Sequence, residues 1–120
     1  MKLVFDNIIF DLQKSGGISV VWYELLKRNQ ESTACECLYL DTPTADNHFR
    51  KLLTLDEASI LRDNKPIWLT RSLPVRLRLK EPFIFHSSYY RYCTSPLAIN
   101  VSTVHDFTKE IFEHSLRNKL

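Results

Sequence analysis

Apolar and polar positions follow two different periods along this chain. Leu3-Val4-Phe5 opens a short apolar run that predicts a first strand. Residues 7 to 17 break the pattern and end in Ser15-Gly16-Gly17. A helical period follows at once: Ile18, Val21, Trp22, Leu25 and Leu26 fall at i, i+3, i+4, i+7 and i+8, while Tyr23, Glu24, Lys27 and Arg28 lie on the other sides. The spacing predicts an amphipathic helix of about three turns with one stripe against a sheet. Cys35-Glu36-Cys37-Leu38-Tyr39-Leu40 alternates as a second strand, and the turn-forming run Asp41 to Asn47 stops it. Phe49, Leu52, Leu53 and Leu55 predict a short helix; Leu55 to Leu61 extends it or starts another. Pro66 to Leu69 reads as a brief strand or a loop. Ser72 to Leu79 reads as a strand by its alternation, or as a short helix with Pro74 near its first turn. Phe83-Ile84-Phe85-His86 predicts a buried strand closed by Ser87-Ser88, and Ile99 to Val104 a β-branched strand closed by His105-Asp106. A last helix is expected from Asp106 or Thr108, with Phe107, Ile111, Phe112 and Leu116 as its apolar positions.

Strand, glycine turn, helix, strand, helix, strand is the order of an α/β domain: a mostly parallel sheet with helices on its faces. The length of 120 residues fits one domain, 1–120. Hydrophobic residues at 44% and charged residues at 25% are those of a globular chain, so disorder over most of the length is not expected. The net charge of +2 is nearly balanced, which argues against a nucleic-acid partner held by bulk charge. No apolar run approaches the roughly 18–20 residues that cross a bilayer. Asp6 arrives too early for a signal-peptide core, so the expected location is the cytoplasm. Cys35 and Cys37 make a poor disulfide pair, Cys93 is remote, and no set of ligands has zinc spacing. All three are read as free thiols, buried or half-buried.

Parallel sheets bind ligands beyond the carboxyl ends of their strands. Three polar clusters follow apolar strands and would converge there: the loop 7–17, His86-Ser87-Ser88-Tyr89-Tyr90, and His105-Asp106. Gly16 and Gly17 are the only glycines in the chain, and both stand at a helix start. They make either a tight loop-to-helix turn or a phosphate cradle, in which the backbone comes close and the helix dipole attracts an anion. The chain has neither G-x-G-x-x-G nor a P-loop, which weakens a nucleotide-dependent oxidoreductase reading. His105 offers a hydrogen bond at neutral pH, and Asp106 either orients it or caps the next helix. His86, with two serines and two tyrosines after it, suits sugars or ordinary packing. His48 and His114 read as surface. Arg71, Arg76, Arg78 and Lys80 form a basic run broken by leucines, either a solvated face or a contact for an anionic membrane surface.

Three segments carry a family resemblance. Ser15-Gly16-Gly17-Ile18-Ser19 with Trp22-Tyr23 and Leu25-Leu26 resembles the first loop and helix of the GT-B glycosyltransferases of the family 4 type. Phe85-His86-Ser87-Ser88-Tyr89-Tyr90-Arg91 and Thr103-Val104-His105-Asp106-Phe107-Thr108 resemble two further family segments in the right order. The likeness runs from residue 3 to about residue 112 and is thin between 30 and 80.

The resemblance implies the N-terminal, Rossmann-like three-layer half of a GT-B fold. That half is the acceptor side of an enzyme moving a sugar from a nucleotide-sugar to a glycan or lipid acceptor. It implies that Gly16 and Gly17 approach the donor diphosphate, that His105 reaches the donor sugar with Asp106 in support, and that His86, Ser87 and Tyr90 match sugar- or acceptor-pocket positions. Transfer in such enzymes needs no metal or other cofactor, and fixed positive and amide groups stabilise the leaving diphosphate. A C-terminal nucleotide-sugar domain would complete the cleft. Without it, these 120 residues are expected to be inactive alone, and a face meant for burial would favour self-association. Contact with the inner membrane face fits the basic run. The competing expectation is a stand-alone Rossmann-like binding or protein-interaction module without catalysis.

Overall fold

A computed structural model describes residues 1–32, 34–42, 45–63, 65 and 67–104, with the side chains of 67 and 68 left aside. Its centre is β1 (Lys2–Asp6), the apolar run predicted at the start of the chain. A single helical turn, α1 (Ile9–Leu12), follows it, and then α2 (Gly17–Gln30). Next come β2 (Glu36–Asp41), α3 (His48–Leu52), a 3-10 turn at Glu57–Ser59 and β3 (Ile60–Arg62). One more turn, α4 (Ile67–Thr70), precedes a long irregular stretch, then β4 (Phe83–Ser87) and β5 (Ala98–Ser102).

All five strands run parallel in the order β3-β2-β1-β4-β5. The chain builds outward from β1 on one side, then returns to β1 and builds outward on the other. The sheet therefore reverses its strand order between β1 and β4, the switch point of a doubly wound fold. The architecture is a Rossmann-like α/β fold.

Strand periodicity divides the core in two. Phe5 and Tyr39 point to the face covered by α2 and pack with Ile9, Phe10, Trp22 and Leu26. The Trp22 ring meets Phe5 edge-on at 5.8 Å between centroids, a contact worth about 0.5–1.5 kcal/mol beyond its buried area. Val4, Leu40, Phe83 and Phe85 point to the opposite face, where Val75, Leu77 and Leu79 cover them. Among the described residues, those packed in this second layer lie outside the helices. Val75, Leu77 and Leu79 turn inward while Arg76, Arg78 and Lys80 stay exposed, so the alternation read from 72–79 is real. Among the described residues, its only ladder partner is an isolated bridge from Val75 to Cys93, and 72–79 is neither strand nor helix.

The structure differs from expectation at several further points. Residues 7 to 17 contain a helical turn rather than loop alone, because Ile9 and Phe10 are core residues. Val21 is 52% exposed, whereas Tyr23, expected on an outer side, packs against the core edge. The buried stripe of α2 is thus rotated toward Ser19, Trp22 and Leu26. Residues 60–62 form a strand where a helix was expected to extend or begin, and 67–70 form a helical turn where strand or loop was expected. Cys35 is an exposed free thiol, not a buried one; Cys37 is half-buried and Cys93 buried. Among the described residues, no helix is long and apolar enough to cross a membrane. The helix expected from 106 lies outside the described residues.

Candidate functional site

Five parallel strands deliver five carboxyl ends to one edge, and two polar clusters stand there, one on each face. Consecutive residues of a strand point opposite ways, so Asp6 and Asn7 at the end of β1 start the two clusters.

Asp6 is fully buried on the face away from α2. Arg91, itself buried, closes on it with two donors: Nε to Oδ2 at 3.0 Å, and Nη2 to Oδ1. The Ser87 hydroxyl donates to the same Oδ2 at 2.8 Å. Ser88 adds a hydroxyl bond to the Asp6 carbonyl at 2.7 Å, and its oxygen accepts from the Ile9 amide at 3.0 Å. Arg91 Nη1 also donates to the Thr70 carbonyl at 3.2 Å and lies 3.6 Å from Asp63. One guanidinium therefore ties together the ends of β1 and β3, the turn α4 and the loop after β4. Two buried charges cost several kcal/mol in desolvation unless paired and fully hydrogen-bonded. This pair meets that condition on both carboxylate oxygens.

The second cluster lies under the start of α2. Asn7 is buried, and its Oδ1 accepts from Trp22 Nε1 at 2.8 Å. Asn47, fully buried, accepts from the amides of Phe49 and Arg50 at 2.8 and 3.1 Å, capping α3. Its Nδ2 donates to the Gln13 carbonyl at 2.8 Å, and the His48 amide donates to the Lys14 carbonyl at 2.8 Å. These bonds hold the loop before α2 against the end of β2. Asp41 accepts Arg50 Nε and Nη2 on one oxygen, Oδ2, at 2.9 and 2.7 Å. Among the described residues, four buried polar atoms at this edge have no partner: Asn7 Nδ2, Gln13 Oε1, Asp41 Oδ1 and Thr42 Oγ1. Each such atom costs about 1–3 kcal/mol if left dry, so a concentration of them at one edge calls for water or a ligand.

Neither glycine at the head of α2 has a positive φ, so the turn itself does not demand glycine. A Cβ on Gly16 would stand 2.4 Å from Gln13 Oε1, the far end of a flexible side chain that would have to turn aside. A Cβ on Gly17 would meet nothing within 4 Å. Among the described residues, no side chain caps the amides of Gly17 to Ser19, although Ser19 Oγ accepts from the Gly16 amide at 3.0 Å. The helix therefore opens toward the rim with backbone donors and an unfilled space beside Gly17, the local arrangement that receives an anion.

The remaining residues singled out in the sequence fall in different places. His86 sits on β4 facing α2, its ring edge-on to Trp22 at 5.0 Å, with Nε2 2.9 Å from Thr103 Oγ1. It pairs in register with Phe5, one residue from the end of its strand, so it shares the edge of the sheet with the head of α2. Ser87 is buried, with its hydroxyl committed to Asp6, so it supports the rim from beneath. Tyr90 is 55% exposed and lies against Tyr89 at 5.1 Å between centroids. His48 is exposed. His105, Asp106 and His114 lie outside the described residues. Among the described residues, no group of three or more His, Cys, Asp or Glu is placed to hold a metal ion.

Sequence reasoning missed Asn7, Asp41, Asn47 and Arg91. The available signal was position: polar residues directly after apolar strands, in a fold whose strand ends make the site. No family model, curated protein or solved structure matches the chain.

Proposed function

We propose that this chain is the acceptor-side, Rossmann-like domain of a GT-B glycosyltransferase, with a second domain supplying most of the nucleotide-sugar contacts. The observation that carries the reading is the head of α2. Among the described residues no side chain caps its Gly17, Ile18 and Ser19 amides, the Ser19 hydroxyl bonding the Gly16 amide before them; it is open beside Gly17 and set at the carboxyl edge of a parallel sheet next to the strand-order reversal. In this reading the amides of Gly17, Ile18 and Ser19 receive the donor diphosphate, stabilising charge that grows as the glycosidic bond to the nucleotide breaks. Asn7 supplies a further donor, while Asp41 and Gln13 supply acceptors for sugar hydroxyls. Trp22 and Thr103 fix the His86 ring at the rim. Ser87 and Arg91 act as positioning residues by holding Asp6. His105 and Asp106 are proposed to meet the donor sugar, and Tyr90 to offer a flat surface to the acceptor. No metal takes part.

One wall of a cleft cannot exclude water, so donor binding to these 120 residues should be weak, with Kd of about 1 mM or above. The test is a titration with a panel of nucleotide-sugars, followed by amide NMR. Shifts centred on Gly17 to Ser19 are expected, and Gly17→Val should abolish them without unfolding the chain, since its side chain enters open space. Shifts absent at those amides, or unaffected by Gly17→Val, would sink the cradle. Steady sugar transfer by these residues alone would overturn the division of labour.

A second reading, a binding module without catalysis, is favoured by one observation. Ile99 and Val101 lie on the same face of β5 and are 51% and 38% exposed. Apolar residues side by side on a sheet suit a protein partner or a second copy. Concentration-dependent association abolished by Ile99→Lys, with no nucleotide-sugar shifts, would favour this reading over sugar transfer.

A further inference from the structure

A groove of about 580 Å³ lies at the carboxyl ends of β2 and β3, on the face opposite α2. Its floor is Leu40, Leu61, Val75 and Leu77, all part of the second core cluster. Its rim carries three cations, Arg62, Lys65 and Arg76, all exposed. Among the described residues Asp63 is the one acid in the lining, and it faces the buried Arg91 at 3.6 Å and accepts the Lys65 amide at 3.2 Å. Arg62 has an exposed partner, Glu57, at 2.9 Å. Among the described residues, Lys65 and Arg76 have no ion-pair partner. A hydrocarbon floor beneath a cationic rim is the complement of a molecule with an apolar tail and an anionic head.

We propose that this groove binds a single anionic amphiphile, a phosphate or carboxylate on a hydrocarbon chain, taken up as a monomer. Among the described residues the lining contains no aromatic side chain, so these residues offer no stacking platform for a nucleobase. The adjacent edge strand β3 is only three residues long, which disfavours an extended peptide added as a further strand. The volume falls within the roughly 300–1,000 Å³ of small-molecule sites. The head would lie between Lys65 and Arg76, with the tail along Leu61, Val75 and Leu77. This site is separate from the head of α2 and stands whether or not the chain serves sugar transfer.

The test uses decyl phosphate below its critical micelle concentration, with decyl glucoside as the neutral control, followed by calorimetry and the methyl resonances of Leu61, Val75 and Leu77. Saturable one-to-one binding of the phosphate is expected, with those methyls shifting. Lys65→Gln together with Arg76→Gln should weaken it about tenfold, given two- to fivefold per exposed ion pair. Arg78→Gln with Lys80→Gln, which removes exposed cations outside the groove, should change it less than about twofold. Equal affinity for decyl glucoside would overturn the proposal. So would an equal loss on removing Arg78 and Lys80, accompanied by binding to anionic phosphatidylglycerol vesicles, since the basic run would then be acting as a membrane surface. Tighter binding of an acidic peptide at the same methyls, or no saturable binding of decyl phosphate, would also refute it.

Discussion

Replacing Arg91 by Met keeps most of the side chain's aliphatic length and removes its charge and donors. Asp6 would then stay fully buried, with Ser87 as its one side-chain hydrogen bond. Breaking a buried pair from one side costs about 3–5 kcal/mol, because the remaining charge is uncompensated. A chain of 120 residues has about 6–18 kcal/mol of stability in total, so the loss is a large fraction of it. With about 2.1 cal/mol/K of unfolding entropy per residue, the midpoint should fall by about 12–20 °C. Urea unfolding followed by circular dichroism reads the cost directly. Asp6→Asn alone strands Arg91 in its place, whereas the double variant Asp6→Asn/Arg91→Met removes both charges and keeps a polar group for Ser87. The double variant is expected to be more stable than Arg91→Met, because no lone buried charge remains. If Arg91→Met cost less than about 1 kcal/mol, or if the two single losses simply added, the pair would not be the buried clasp described above.

Asn47→Ala removes the cap of α3 and the tie to the Gln13 carbonyl together, and should cost about 2–3 kcal/mol in urea unfolding while speeding hydrogen exchange at the His48 amide. An unchanged exchange rate at His48 would mean that the loop before α2 is held by something else. Thr42→Val replaces a buried hydroxyl that has no partner among the described residues with a methyl of similar size, so the free chain should be unchanged or up to about 1 kcal/mol more stable; a clear loss would reveal a hydrogen-bond partner for that hydroxyl. Burial holds the Tyr39 phenol above its ordinary value of 10.0, and the neighbouring Cys37 adds to the rise while the Asn29 hydrogen bond opposes it. The unfolded phenol ionises first, so its contribution is intact below pH 10.0 and is lost as pH climbs toward the folded value. Tyr39→Phe should therefore lose less stability than the parent chain between neutral and alkaline pH, and identical pH slopes would refute that account.

Elements with strong, long periods were legible, and short ones were not. β1, β2, β4 and β5 carry enough consecutive apolar residues to declare strands, and α2 shows its period over 14 residues. β3 is three residues, Ile60-Leu61-Arg62, too few to separate period 2 from period 3.6. The turns α1 and α4 are four residues each and fail for the same reason. Within α2 the apolar stripe was read one position off: Val21 looks like core by type, yet the helix rolls so that the small Ser19 and the large Trp22 face the sheet. The glycine pair was visible by scarcity alone. The Asp6–Arg91 clasp was invisible because hydropathy assigns charges to the surface, and its partners stand 85 positions apart.

Satisfied and unsatisfied polar groups divide between the two sides of the rim. On the face away from α2, the polar atoms of Asp6 and Arg91 find partners, and the clasp draws in Ser87, Thr70 and Asp63. On the α2 face, Asn7 and Asp41 each bind one neighbour and leave one atom over. Strand parity produces this division, because Asp6 and Asn7 are adjacent in sequence and emerge on opposite faces. The clasp fixes the backbone of the strand end, so Asn7 stands in a set position without needing all of its own hydrogen bonds for stability. A rigid support beneath incompletely satisfied polar groups is the arrangement expected of a preorganised site, where the missing partners are those of the ligand. The same logic separates the two glycines. At Gly16 a side chain would first have to displace the flexible Gln13 amide, whereas Gly17 faces open space, where a side chain would compete with whatever approaches the helix.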